Sequence, residues 1–142
     1  MTLDTRAACI AALTATLELA LGGGLALGKD VKLSLTGAEE TPPVTTTASG
    51  SGTIKIADDK TVSGSIKTVG IDGIAAHIHV GAPGVAGPPI ITLEKTADGV
   101  WSVPAGAKLT DEQYASFKAG SLYVNVHSAE HKPGEIRAQL KP

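Results

Sequence analysis

Cysteine, aromatic rings and net charge are all scarce in this chain of 142 residues. Cys9 is the only cysteine, so no intrachain disulfide can staple the fold, and past residue 9 no thiolate can ligate a metal or attack a substrate. Trp, Tyr and Phe together make up 3% of the residues, which forces an aliphatic core and removes the stacking platforms of a single-strand nucleic-acid surface. A formal net charge of −2 removes the basic footprint that phosphate-backbone binding requires. Nucleic acid is therefore the wrong partner.

What is present points to a folded, turn-rich domain: 42% hydrophobic and 18% charged residues, with 17 glycines and 8 prolines. Residues 1–28 read as an address. Between Ala7 and Gly28 Glu18 is the only charge, Arg6 supplies a weak positive start, and small-x-small cleavage sites stand at Gly24-Leu25-Ala26 and Ala26-Leu27-Gly28. The expectation is a signal peptide and an exported, periplasmic or secreted, product. An uncleaved membrane anchor is the alternative, although Glu18 and the run Gly22-Gly23-Gly24 oppose a continuous span. No lipobox-like stretch precedes Cys9, so a lipid anchor there is not expected.

Residues 29–142 then form one β-domain. Val31–Thr36, Gly52–Ile56 and Val62–Val69 alternate apolar and polar with the period of two that marks half-buried strands, the last two joined at Asp58-Asp59-Lys60. Further strands are expected at Ile74–Val80, Ile90–Leu93, Val100–Val103, Leu122–His127 and Glu135–Leu140, with irregular loops at 37–50 and 81–89. One helix interrupts them. Thr110-Asp111-Glu112-Gln113 is a capping box, Leu109, Tyr114 and Phe117 supply a buried stripe, and Gly120 suits the left-handed cap that ends it. About eight short strands and one short helix predict an all-β, antiparallel Greek-key sandwich or barrel.

The candidate chemistry lies in four histidines between positions 77 and 131. Alternation in Ala76-His77-Ile78-His79-Val80 sends His77 and His79 to one face, about 7 Å apart along the strand. The same parity places Tyr123, Asn125 and His127 on one face of their strand, and Glu135, Arg137 and Gln139 on one face of theirs. If the strands are neighbours, three imidazoles converge, and His131 can close the site or line its rim. Imidazoles without thiolate suit copper or zinc and not calcium or magnesium, which take oxygen cages. Asn125, Arg137 and Tyr123 are the supporting residues, Arg137 either holding an anion or pairing with Glu135 or Glu130. A plain polar face is the bland alternative, since histidine is tolerated on solvent-facing strands. Trp101 reads as core. The pairs Glu39-Glu40 and Asp58-Asp59 read as solvated turn charges, no Gly-x-Ser-x-Gly elbow is present, and loop 81–89 lacks the lysine and following helix of a phosphate loop.

The segments Leu35–Val44, Ala75–Gly81, Leu122–Ser128 and Pro133–Leu140 resemble the CHRD domain, a module named for chordin and widespread in exported bacterial proteins. The resemblance spans about Val31 to Leu140 and implies an extracytoplasmic β-domain. More weakly, a His-x-His strand followed by a Val-x-His strand is similar to the copper-ligand pattern of copper-zinc superoxide dismutases. That likeness implies copper on His77, His79 and His127 and a guiding role for Arg137, but the pair of cysteines and the zinc cluster of those enzymes have no counterpart. Three readings follow: an exported copper-binding domain, a non-catalytic extracellular interaction module, and a dismutase-like oxidoreductase. A metal ion is the expected partner, with a protein partner or self-association through sheet edges as a further expectation, and a membrane only if residues 1–28 stay attached.

Overall fold

The structure, a computed structural model, describes residues 27–142, so the address read at residues 1–28 lies outside it except for Leu27 and Gly28. The first alternating segment runs longer than its apolar residues suggest. Strand β1 (Gly28–Thr36) buries Val31, Leu33 and Leu35 and pairs along its whole length with β2 (Ser49–Ala57), from Gly28 opposite Ala57 to Thr36 opposite Ser49. Between them a 3-10 turn (Gly37–Glu39) opens the first loop. β2 turns into β3 (Val62–Val69) at the aspartates, where Asp59 Oδ1 accepts from the Thr61 amide at 3.0 Å and from its hydroxyl at 2.6 Å. Such local acceptors favour turns over continued strand.

Strands β4 (Gly73–Val80), β5 (Pro89–Thr92), β6 (Glu94–Ala97), β7 (Val100–Ser102), β8 (Leu122–Ser128) and β9 (Ile136–Leu140) complete one antiparallel sheet in the order β5-β4-β8-β9-β1-β2-β3-β7-β6. The chain thus passes from β3 across to β4, back from β5 to β6, and across again from β7 to β8 before β9 returns beside β1. These are the Greek-key crossings expected, with nine strands in place of eight. The sheet's two edges, β5 and β6, are separated only by Leu93, whose N–H bonds the Ala76 carbonyl at 2.9 Å. The edges therefore lie next to each other in sequence, and the sheet is nearly closed into a barrel. β6 went unforeseen because its four residues, Glu-Lys-Thr-Ala, are all exposed and carry no alternation.

Inside, Leu35, Ile54, Ile66, Ile78, Val124 and Ile136 are fully buried and belong to one cluster that also takes in Trp101. A Cβ on Gly73 would touch both Val126 of β8 and the Trp101 ring of β7, which shows the two halves of the sheet facing each other. Helix α1 (Asp111–Lys118) has the expected capping box, with Thr110 Oγ1 accepting from Gln113 N at 3.2 Å and Gln113 Oε1 accepting from Thr110 N at 2.9 Å. Phe117 and Leu109 are buried, Tyr114 packs against the core, and Gly120 follows the helix at φ 73°. Among the described residues no helix is long and apolar enough to cross a membrane.

Two substitutions should separate core from cap. Ile78→Ala removes a fully buried side chain from the centre of the barrel and is expected to cost about 2–5 kcal/mol. Thr110→Ala should cost only about 1 kcal/mol, because it removes one capping bond at an exposed helix end. Urea unfolding of both variants checks the order, and a cap variant as damaging as the core variant would contradict it.

Candidate metal centre

Strand parity delivers the histidines as expected. In β4 the side chains of Ala76 and Ile78 enter the core, while His77 and His79 turn to the other face. β8 is the antiparallel neighbour, with Tyr123 opposite His79, Asn125 opposite His77, and His127 opposite Ala75. β9 follows, with Arg137 opposite Asn125 and Gln139 opposite Tyr123. The ligating nitrogens of His77, His79 and His127 all lie within 4.8 Å of one another. His77 Nδ1 is 3.0 Å from His127 Nε2, and the His79 and His127 ring centroids are 5.8 Å apart.

Carbonyl oxygens set the tautomers. His127 Nδ1 donates to the Lys132 carbonyl at 2.7 Å, and His79 Nδ1 donates to the Gly87 carbonyl at 2.9 Å. Each of these rings then turns its Nε2 lone pair toward the cluster. His127 Nε2 accepts from His77 Nδ1, whereas His79 Nε2 is buried with no hydrogen-bond partner. Burial, with the neighbouring His127 and His79 charges, holds His77 below its ordinary value of 6.5. Burial likewise pulls His79 down, helped by the His127 and Arg137 charges and opposed by the Gly87 hydrogen bond and by the neighbouring Asn125 side chain. Both shifts favour the neutral ring, the form in which imidazole binds a metal.

The face that carries these rings is polar in sequence yet largely covered: His79 is buried, while His77 and His127 are half-buried. Tyr123 is 3% exposed, Asn125 2% and Arg137 1%. Loop 81–89 lies over them, and its carbonyls point inward. Arg137 donates to Ala82 O at 2.9 Å and Val85 O at 3.0 Å, and also to Gln139 Oε1 at 3.1 Å and Thr41 Oγ1 at 3.4 Å. Gln139 Nε2 holds Gly81 O at 2.7 Å, and the Gly87 N–H donates to the Tyr123 hydroxyl at 3.0 Å. The loop passes so close to β4 that a Cβ on Gly87 would overlap the Val80 carbonyl oxygen. Beneath it three flat groups are layered: the His79 and Tyr123 rings stack at 4.7 Å and 5°, and the Arg137 guanidinium lies 3.5 Å from the other side of the phenol.

Two expectations need correction here. Arg137 pairs with neither Glu135 nor Glu130. Lys60–Asp111 is the only ion pair among the described residues, and the guanidinium is engaged by loop oxygens. Glu40, read as a solvated turn charge, is 7% exposed, and a Cβ on Gly134 would overlap both its Oε1 and the Asn125 Nδ2. Desolvation raises its pKa above the ordinary 4.5, against the lowering effects of Asn125, the Arg137 charge and a Thr41 backbone bond. Alternation assigns a residue to a face, but it does not say that a loop will cover that face. The one available signal for Glu40 was its place in a loop segment that carries the family resemblance.

His131 stands apart from the trio. It groups with Glu130 and Glu135, within 4.8 Å of one another, on the turn that follows β8. Glu135 is buried and accepts from Ser128 Oγ at 2.7 Å and Thr46 Oγ1 at 2.9 Å. Asn125 takes a supporting position, its Nδ2 donating to the Pro133 carbonyl at 3.3 Å.

The sequence model of the CHRD domain matches residues 31–140. The chain belongs to the CHRD domain family. No match was found among curated proteins or among solved structures. The four segments that carry the CHRD resemblance meet in space: the end of β1 with Glu40, the His-x-His of β4, the Tyr-Val-Asn-Val-His of β8 and the Arg137 strand β9. They enclose the histidine trio and its supports, so the segments that carry the resemblance meet on one outward face of the sheet.

Two measurements follow from the electrostatics and the clamp. On acidification below about 6.5 the unfolded chain takes up protons at positions 77 and 79 that the folded rings resist, so metal-free stability should fall with pH in that window. Glu40 has the opposite sign: its raised pKa gives stability below its unfolded value that is lost as pH rises through the folded one. Urea unfolding with chelator should therefore show a shallower acid loss in His79→Gln and a steeper one in Glu40→Gln. Arg137→Lys keeps the charge but loses the fork that spans Ala82 O and Val85 O, and should destabilise the protein by about 3 kcal/mol. Hydrogen exchange should quicken first at the Val85 and Gly87 amides, and unchanged exchange there would contradict the clamp.

Proposed function

We propose that this CHRD domain protein is exported and binds copper through His77, His79 and His127, in a role of metal sequestration or storage. The observation that carries the reading is the convergence of three imidazoles, two with their tautomer set by a backbone carbonyl and one, His79, with a buried Nε2 that accepts no hydrogen bond of normal length. A buried acceptor without a donor is costly, and a metal ion satisfies it. His77 Nδ1 already donates to His127 Nε2 at 3.0 Å, and a metal ion between them would send that proton to His77 Nε2 or to solvent. An all-nitrogen set without thiolate favours copper, which outranks zinc in affinity for such ligands, with zinc as the alternative. Export is supported by the signal-like composition of residues 1–28.

Binding is favoured over dismutation by the state of Arg137. Its donors are engaged by loop carbonyls and it is 1% exposed, so it offers no free guanidinium to guide a small anion.

Titration of the full chain with Cu(II), followed by electron paramagnetic resonance, tests the assignment. A one-to-one signal with nitrogen hyperfine splitting is expected. His79→Ala should weaken binding by more than the roughly 10–100-fold that loss of an outer partner costs. His131→Ala should leave stoichiometry and spectrum unchanged. Undiminished one-to-one binding in His79→Ala would overturn the proposal.

A further inference from the structure

Beside the histidine trio, separated from it by the 131–134 turn, lies a cavity of about 490 Å³ between that turn and the loop that follows β1. The turn is shared by both. Its Lys132 and Pro133 carbonyls hold His127 and Asn125 on one side, and His131, Pro133 and Gly134 form the cavity wall on the other. No lysine or arginine lines the cavity, whereas Glu40 and Glu130 do. Glu40 is 93% buried by the complement of its 7% exposure, and its Oε1 has no hydrogen-bond partner. Arg137 acts on it only through space, because that guanidinium donates to Thr41, Ala82, Val85 and Gln139. The opposing wall is apolar, made of Pro42, Pro43 and Val44.

We infer that this cavity binds an organic cation, a primary ammonium group carried on a short aliphatic chain. The ammonium adds hydrogen-bond donors and a full positive charge to a carboxylate on which only Asn125, a Thr41 backbone bond and the through-space Arg137 charge otherwise act, with Glu130 adding charge at the rim. The aliphatic chain lies on the proline rings and Val44. A bare metal ion fits less well. The volume is that of a small-molecule site, and although Glu130 and His131 of its lining group with Glu135 closely enough to share an ion, Glu40, the buried carboxylate of the cavity, stands outside that group. The inference does not depend on the copper reading, since none of the three metal-binding histidines lines the cavity.

The test is a titration of the full chain, monitored by backbone amide shifts in nitrogen-15 NMR. The probes are n-butylammonium, Nα-acetyl-lysine amide and, as the uncharged isostere, n-butanol. Saturable shifts are expected at Thr41, Val44, Thr45 and Glu130–Gly134 with the ammonium probes, while n-butanol should bind at least about tenfold more weakly. Equal or tighter binding of the lysine amide assigns the source to a protein side chain, and weaker binding assigns it to a free amine. Glu40→Gln should lose at least about tenfold in affinity. Should that variant fail to fold, the exposed Glu130→Gln must still weaken both ammonium probes and leave n-butanol unchanged. Shifts that do not saturate, shifts that spare these amides, or n-butanol binding as tight as n-butylammonium would each overturn the inference.

Discussion

A single buried guanidinium organises the functional end of this protein. Taking an arginine out of water is expensive, and it is tolerated only where its donors are matched and its plane is covered. Arg137 meets both demands with two backbone carbonyls of loop 81–89, Gln139, Thr41 and the face of Tyr123. Because those carbonyls belong to a loop, satisfying the charge also fixes the loop. Because the loop is fixed, Gly87 O stands where it can accept from His79 Nδ1. The orientation of one candidate ligand is thus inherited from a charge two strands away.

The same logic explains why the trio needs no cysteine and no disulfide. His77 and His79 come from one strand and His127 from its direct neighbour, so the backbone ladder alone sets their spacing. The loops supply what a ladder cannot, namely the oxygen partners that choose a tautomer and the cover that buries His79. Membership of the CHRD family fixes the fold, while the chemistry rests on these particular side chains.

Much of this was legible in the chain. Alternation in β4, β8 and β9 predicted which residues share a face, and those assignments hold for His77, His79, His127, Tyr123, Asn125 and Arg137. The capping box before α1 is a local signal with local partners, and it appears as read. What the pattern could not give was depth. Arg137 and Glu40 look like surface residues until loops 41–44 and 81–89 are placed over them, and that placement comes from long-range bonds to oxygens that every sequence possesses. β6 escaped for the converse reason: an edge strand exposed on both faces has no periodicity to read. His131 lay four positions past His127, near enough in sequence to join the trio, yet the turn anchored by Ser128 carries it to Glu130 and Glu135.

The near-closed barrel has a weak seam. β1 and β9, the first and last strands among the described residues, are joined through one residue pair, Thr36 with Arg137, whereas β1 and β2 are laddered along nine. Joining the two ends of a chain is the slowest contact to form, and an interface with few bonds is the cheapest to breathe. Arg137 sits in that seam by its backbone and in the loop by its side chain. Any separation of β9 from β1 therefore pulls directly on the cover above His79, so the thinnest join in the sheet and the anchor of the loop are one residue.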